Sequence, residues 1–379
     1  MARKPVVEKT GVKRQGLIAD RDALSKAIDR ARASTAAKTT MPVLECVLLV
    51  SNGLRLDVTG TDLYVATRAT ISVETNGENV AVCASAKDLH GAVKAMPSGF
   101  VRLRAEENHL VVEAAEGKRS FKIRTLPADD YPKIAESSGV TGFSIPTEAL
   151  LAAVTATLSG VSHDQTSPGK NSMLFDPQED GCVLVSTDGH RLHTRALDAR
   201  GVEKMAIPRS AVEQIRGVCE GEESIEISRQ GGAVFFVTTA ATFWAKLVDE
   251  ASFPPWRQVM LARAKFDESR ASVKSLAEAV KAISMMSSAK TGGVYFDFLA
   301  DRIVLTASDG EGRGEATDEV PAEKSGKTAK IHLNAGYVLD ALAGVGTEHV
   351  RIGVAGDLDP ISFCDDEGDE FRAVVMPMR

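Results

Sequence analysis

The sequence predicts an α+β protein built from three repeats of one domain, on the strength of two observations. The first is a strand that ends in an acidic turn and occurs three times, at Leu54–Asp62 (LRLDVTGTD), Val183–Asp188 (VLVSTD) and Ile303–Asp309 (IVLTASD). The aspartates Asp62, Asp188 and Asp309 recur at intervals of about 120 residues, a typical domain length. The second is a regular exchange of helical and period-2 apolar stretches around each copy.

Taken in order, each copy follows a helical stretch and a short apolar strand, at Val43–Val50, Ser172–Phe175 and Val294–Phe298. A further strand then runs into a second helix through Val80–Lys87, Met205–Ser210 and Ala329–Asn334, each with a Ser, Pro or Asn start signal. Alternating strands close the copies at Ser120–Thr125, Ala241–Val248 and Phe371–Val375, each followed by a proline. The expected organisation is an N-terminal extension at 1–16 and domains at 17–138, 139–263 and 264–379. Neither junction carries a low-complexity linker, so the domains are expected to pack in a rigid arc.

Two helices per domain give six, and a turn of about 100° per residue sorts their faces. The first turns Leu24, Ile28 and Ala31 inward and Lys26 with Arg30 outward. The second buries Leu89, Val93 and Met96 and exposes Lys87 with Lys94. The fourth buries Val212 and Ile215 and exposes Arg209 with Arg216. The fifth buries Leu276, Val280 and Ile283 and exposes Lys274 with Lys281. The third (Glu148–Leu158) and sixth (Ala335–Ala343) lack such basic pairs. One basic face is ordinary, but repetition on four of the six predicts a shared basic surface.

Composition narrows the function. Apolar residues make up 44% of the 379 and charged residues 26%, as in globular domains with real cores. The five cysteines are scattered without a CxxC pair, which predicts neither disulfide framework nor zinc site and fits a reducing cytoplasm. No apolar run approaches the roughly 18 residues of a membrane span. Positive charges at the N-terminus precede no apolar core, so a solvated tail is expected there rather than a secretory leader. The net charge of −7 opposes DNA binding by bulk attraction. It leaves open a protein that holds DNA by enclosing it.

Six segments in order then carry a resemblance: Met41–Leu44 with Val58–Leu63 (VTGTDL), Phe121–Pro132 (FKIRTLPADDYP), Ser186–Leu192 (STDGHRL), Lys246–Pro254 (KLVDEASFP), Tyr337–Leu342 (YVLDAL) and Val374–Arg379 (VVMPMR). From about Leu17 to Arg379 the chain resembles the bacterial β sliding clamps. The resemblance implies three DNA-clamp domains per chain, forming half of a closed ring that two chains complete head to tail. It implies double-stranded DNA held without sequence preference, a tethered DNA polymerase III catalytic subunit, an ATP-dependent clamp loader and other replication and repair partners.

The resemblance also implies a partner-peptide pocket of Thr187, Gly189, His190, Arg191, Leu192, Pro254, Val259, Leu358, Val374, Met376, Pro377 and Met378, with Arg191 and the Gly189 backbone orienting the peptide. Ring closure would use Lys118, Phe121 and Ile123 on an edge strand against Met285 and Met286. Lys118, Arg119 and Lys122 would face Glu311, Glu315 and Asp318. For DNA it adds Lys38 to Lys26, Arg30, Lys87, Lys94, Arg209, Arg216, Lys274 and Lys281.

The chain departs from the pattern in places. Asp164–Lys170 (DQTSPGK) lacks aromatic residues, Ser210 and Gln258 stand where some members are basic, and about 15 residues precede the first strand. No enzyme is expected. Asp188 and His190 are adjacent on a turn, but no GxSxG or GxxxxGK[ST] motif occurs, and aspartates spaced one per domain cannot share a metal. No cofactor or metal is expected. The alternative reading is a clamp-like scaffold that binds partner peptides without encircling DNA.

Overall fold

A computed structural model describes residues 16–75, 79–137, 142–260, 267–288, 291–308 and 314–378. The N-terminal extension before Gly16, the domain boundaries at 138–139 and 263–264, Asp309 and Glu311 lie outside these residues. The chain falls into two compact units, residues 1–136 with 237–244, and residues 137–236 with 245–379.

In the first unit, Leu17–Asp20 leads into α1 (Arg21–Arg32), and Ala81–Ser85 leads into α2 (Ala86–Lys94). Asp20 caps α1 by accepting from the Asp22 and Ala23 amides, and Ser85 caps α2 through the Asp88 amide. Such caps satisfy amides that a helix start leaves without partners. One antiparallel sheet orders Glu74–Thr75, Leu17–Asp20, Phe100–Glu106, His109–Ala114 and Ser120–Pro127. A second orders Val65–Ser72, Arg55–Thr61, Cys46–Asn52 and Ala81–Ser85, and meets the end of Ser120–Pro127. Leu24, Ile28, Leu89 and Val93 fill the core with Val47, Leu56, Val101 and Leu110 from both sheets. The strand expected from Val43 begins instead at Cys46, because Pro42 opens a 3-10 turn over Pro42–Glu45.

The second unit repeats the plan twice. Phe143–Pro146 precedes α3 (Thr147–Leu158) and Met205–Pro208 precedes α4 (Arg209–Cys219). Asp267–Ser272 precedes α5 (Val273–Ile283) and Ala329–Asn334 precedes α6 (Ala335–Gly344). The two repeats share one antiparallel twelve-stranded sheet. Its joint is Arg191–Leu197 paired with Phe371–Val375, in the register Leu192 with Val374 and Thr194 with Arg372. Helix α3 packs on α4 and α6, and α6 on α5, so the four stand in the order α4, α3, α6, α5.

Alternation on the joint strand sends Arg191, His193 and Arg195 to one face. His193 is fully buried, edge-on to Phe371 at 5.8 Å, with Nδ1 near the Ser159 hydroxyl (3.3 Å) and the Ala156 carbonyl (3.4 Å). Burial first, then the neighbouring Arg191 charge, pushes its pKa down to about 4, while the Ala156 carbonyl, Asp340 and Asp188 pull upward. The unfolded chain therefore takes up this proton at higher pH than the folded one. Stability from this site is complete above about pH 6.5 and is lost as pH falls toward 4, by roughly 3 kcal/mol in total. The expected outcome is a flatter decline in urea stability between pH 6.5 and 4 for His193→Gln than for the unmodified chain.

Candidate functional site

The turn after the recurring strand is built the same way in two repeats. At Asp188, Oδ1 accepts from the His190 and Arg191 amides at 2.9 and 3.0 Å, and Thr187 Oγ1 donates to the Arg191 carbonyl at 2.7 Å. At Asp62, Oδ1 accepts from the Tyr64 and Val65 amides at 2.8 Å, and Thr61 Oγ1 donates to the Val65 carbonyl at 2.7 Å. Both aspartates are turn residues. Asp188 turns its other oxygen to Arg191 Nε at 3.0 Å rather than to the His190 ring.

Beside the second turn lies a cavity of about 400 Å³, within the second unit. Of the residues expected there, Thr187, Gly189, Arg191, Leu192, Pro254, Val259, Val374 and Met376 line it. Their convergence follows from the joint: Leu192 pairs with Val374, and the Met376 amide donates to the His190 carbonyl at 2.9 Å. Leu174, Val185, Phe253 and Val374 form a packed floor with Leu192.

His190, Leu358, Pro377 and Met378 stand outside the lining. The His190 ring stacks toward Tyr337 at 6.3 Å, Leu358 is 71% exposed on a neighbouring turn, and the Met378 amide donates to the His332 carbonyl at 2.8 Å. Arg191 lines the cavity with its guanidinium already engaged within the chain. Its guanidinium pairs with Asp188 and Asp340 and lies over the Tyr337 ring at 4.4 Å, which locks the turn to α6.

Trp256, Gln258, Asp359 and Pro360 line the cavity without having been expected. Trp256 is held by its Nε1–H donating to Asp176 at 3.0 Å, and Asp176 also pairs with Arg257 at 2.6 Å. The clue in the sequence was the tryptophan itself, one of two in the chain, inside a proline-led segment.

The basic residues divide. Lys26, Lys87, Lys94, Arg216, Lys274, Lys281 and, in the loop before Met41, Lys38 are exposed, and Arg30 is half-buried. The Arg209 side chain is only 14% exposed, pairs with Glu213 at 2.7 Å and donates to the Val161 carbonyl just beyond the end of α3. A cation there complements the carbonyl-rich helix end.

Of the ring-closure candidates, Lys118 and Met285 are exposed, Met285 at 80%, and Phe121 and Met286 are half-buried. Ser120–Arg124 pairs with His109–Ala114 on one side, while only Thr125–Pro127 pairs with Ala81–Ser85 on the other. Ile123 is 8% exposed and packs in the core of its own unit. Arg119 donates to the Ala95 carbonyl, and Lys122 pairs with Glu106 at 3.0 Å, so both have partners in their own domain.

Among the described residues no group of three or more His, Cys, Asp or Glu side chains is placed to hold a metal, and no helix is long and apolar enough to cross a membrane.

Gly189 has φ +95°, where a side chain is strained, whereas Gly217 lies in α4 with open space at its Cβ position. Substitution by alanine should therefore act in opposite directions. Gly189→Ala should cost about 1–2 kcal/mol and Gly217→Ala should gain about 0.5–1, both read from thermal unfolding.

Comparison with known proteins agrees with this geometry. Residues 16–135, 144–255 and 261–379 match the N-terminal, central and C-terminal domains of the DNA polymerase III beta subunit. The beta sliding clamp of Pseudomonas aeruginosa is 30% identical over 95% of this chain and 98% of its own length. That of Escherichia coli K12 is 26% identical over 95% and 98%. A crystal structure of the P. aeruginosa DNA polymerase sliding clamp superposes with a TM-score of 0.89 at 28% identity, covering 97% of this chain and all of that one. A chain with three repeated domains, matched from residue 16 onward in sequence and over 97% of its length in fold, belongs to the DNA polymerase III beta subunit family, the beta sliding clamps.

Proposed function

We propose that this chain is a processivity clamp: two copies close head to tail around duplex DNA and tether a DNA polymerase III catalytic subunit to it. The observation that carries the reading is the line of helices α4, α3, α6 and α5, with Arg216 exposed on one outer member and Lys274 and Lys281 on the other. Lys26, Lys87 and Lys94 extend the same character to α1 and α2. A chain of net charge −7 with such helices suits enclosure, in which weak phosphate contacts guide DNA and tight ones would stop sliding.

Ring closure in this reading uses the open edge of Ser120–Arg124, the exposed Lys118 and the half-buried Phe121 against Met285 and Met286. Pairing across chains covers an edge that would otherwise invite aggregation. The cavity beside Gly189 takes extended segments of the polymerase, an ATP-dependent loader and other replication and repair proteins. An apolar floor beside the unbranched, partly exposed Met376 side chain can repack around different partners. The chain itself holds, rather than converts, its partners, and works in the cytoplasm.

Two measurements test this. The clamp should remain on nicked circular duplex and leave once the circle is linearised; equal loss from both forms would favour the scaffold that binds peptides without encircling DNA. Charge reversal of Lys26, Lys87 and Lys274 to Glu should cut primer-extension length on a long template at least tenfold, while Arg209→Glu should mainly lower thermal stability. Unchanged extension after the triple reversal would remove those helices from the DNA path.

A further inference from the structure

We infer that the cavity selects extended partner segments carrying a basic side chain beside their apolar anchor, and that Asp359 makes the selection. This rests on the peptide-pocket reading above and adds the chemistry of the peptide.

The argument is a balance of the charges around the cavity. Arg191 is matched by Asp188 and Asp340, so that cluster presents no spare cation. Arg257, over the Trp256 ring at 4.5 Å, is matched by the buried carboxylate of Asp176 at 2.6 Å. Gln258 contributes a neutral amide to the lining. On the Gly189 side lies Lys170, with Nζ 3.9 Å from the position a Cβ would take on that glycine. Among the described residues its ammonium makes no ion pair, so a cation stays on the Gly189 side and the preference for a basic side chain belongs to the Asp359 side.

Asp359 is the one carboxylate among the described residues that line the cavity. It lines the cavity from the turn before Pro360, where its amide donates to the Gly356 carbonyl at 3.2 Å. Among the described residues no lysine or arginine pairs with its carboxylate, which is exposed at the rim. The following proline and the hydrogen-bonded turn restrict the backbone that presents it. A cation entering at this side meets an unmatched negative charge, and an anion is repelled. Because the rim is wet, the preference is modest, shows mainly in the association rate and weakens with salt.

The test uses the full chain and fluorescent peptides with a Leu-Phe anchor, bearing Lys, Ser or Glu immediately before or immediately after it. At one of the two flanks, the Lys peptide should bind about three- to fivefold more tightly than the Glu peptide at low salt. Asp359→Asn should remove the difference and Asp359→Lys should invert it, with the Ser peptide unchanged in both. Equal affinities for Lys and Glu at both flanks, or the same order in Asp359→Lys, would overturn the inference and leave the pocket standing. Loss of the Ser peptide in Asp359→Lys would assign Asp359 to shape rather than charge, and also overturns it. Failure of every peptide to bind the unmodified chain would instead overturn the pocket reading, and the inference with it.

Discussion

The antiparallel pairing of Arg191–Leu197 with Phe371–Val375 is the constraint on which the second unit depends. It merges two repeats into one sheet and brings residues nearly two hundred positions apart to a common cavity. A slip of one residue would exchange the two faces of the strand. Arg191, His193 and Arg195 would then meet the apolar floor, and Leu192 would meet the helices. The register is held by polar contacts that only one alignment satisfies. Arg195 reaches Asp365 at 3.4 Å and Glu370 at 2.9 Å across the joint. Asp365, 3% exposed, accepts from the Gly346 and Phe371 amides as well. Such buried ionic groups contribute less to net stability than to choosing one arrangement over its neighbours.

The same economy governs the surface charges. Arg191, Arg209 and Arg257 resemble ligand-binding cations by residue type, yet each is committed to carboxylates or carbonyls of its own chain. Arginine suits this work because its planar fork satisfies several acceptors at once. The lysines Lys26, Lys87, Lys274 and Lys281 remain exposed, as flexible ammonium groups on helices whose other faces are core. Arg216 on α4 stays exposed with them, so the basic helix faces of this acidic chain consist mainly of lysines.

Repetition of a fold does not carry repetition of a site. The turns at Asp62 and Asp188 share their hydrogen bonds, but Leu63 holds φ 78° where Gly189 holds φ 95°. Glycine leaves the backbone of the second turn open to a neighbour, and the cavity forms there. The first turn instead points Leu63 and Tyr64 outward. One backbone device thus serves as a plain corner in one repeat and as a pocket wall in another.

The repeat, the six helices and their buried faces were legible in the sequence because they rest on local periodicity. Leu24, Ile28, Leu89, Val93, Val212, Ile215, Leu276 and Val280 are all buried. Most of the cavity was legible through family resemblance, which carries long-range pairing that periodicity lacks. Trp256, Asp359 and Pro360 were missed because nothing local marks a proline-led 3-10 turn and a distant sheet turn as neighbours. Arg209 and Ile123 are less exposed than their patterns suggested for a related reason: a helical wheel shows which way a residue leaves its helix, and an alternating strand which side it takes, but neither shows what waits there. The sequence by itself determined the elements, their order and their amphipathic faces, since those are set by neighbours along the chain. Only the tertiary structure decided which charges are already spent and which line the cavity, since ion pairs and pockets join residues that the chain keeps far apart.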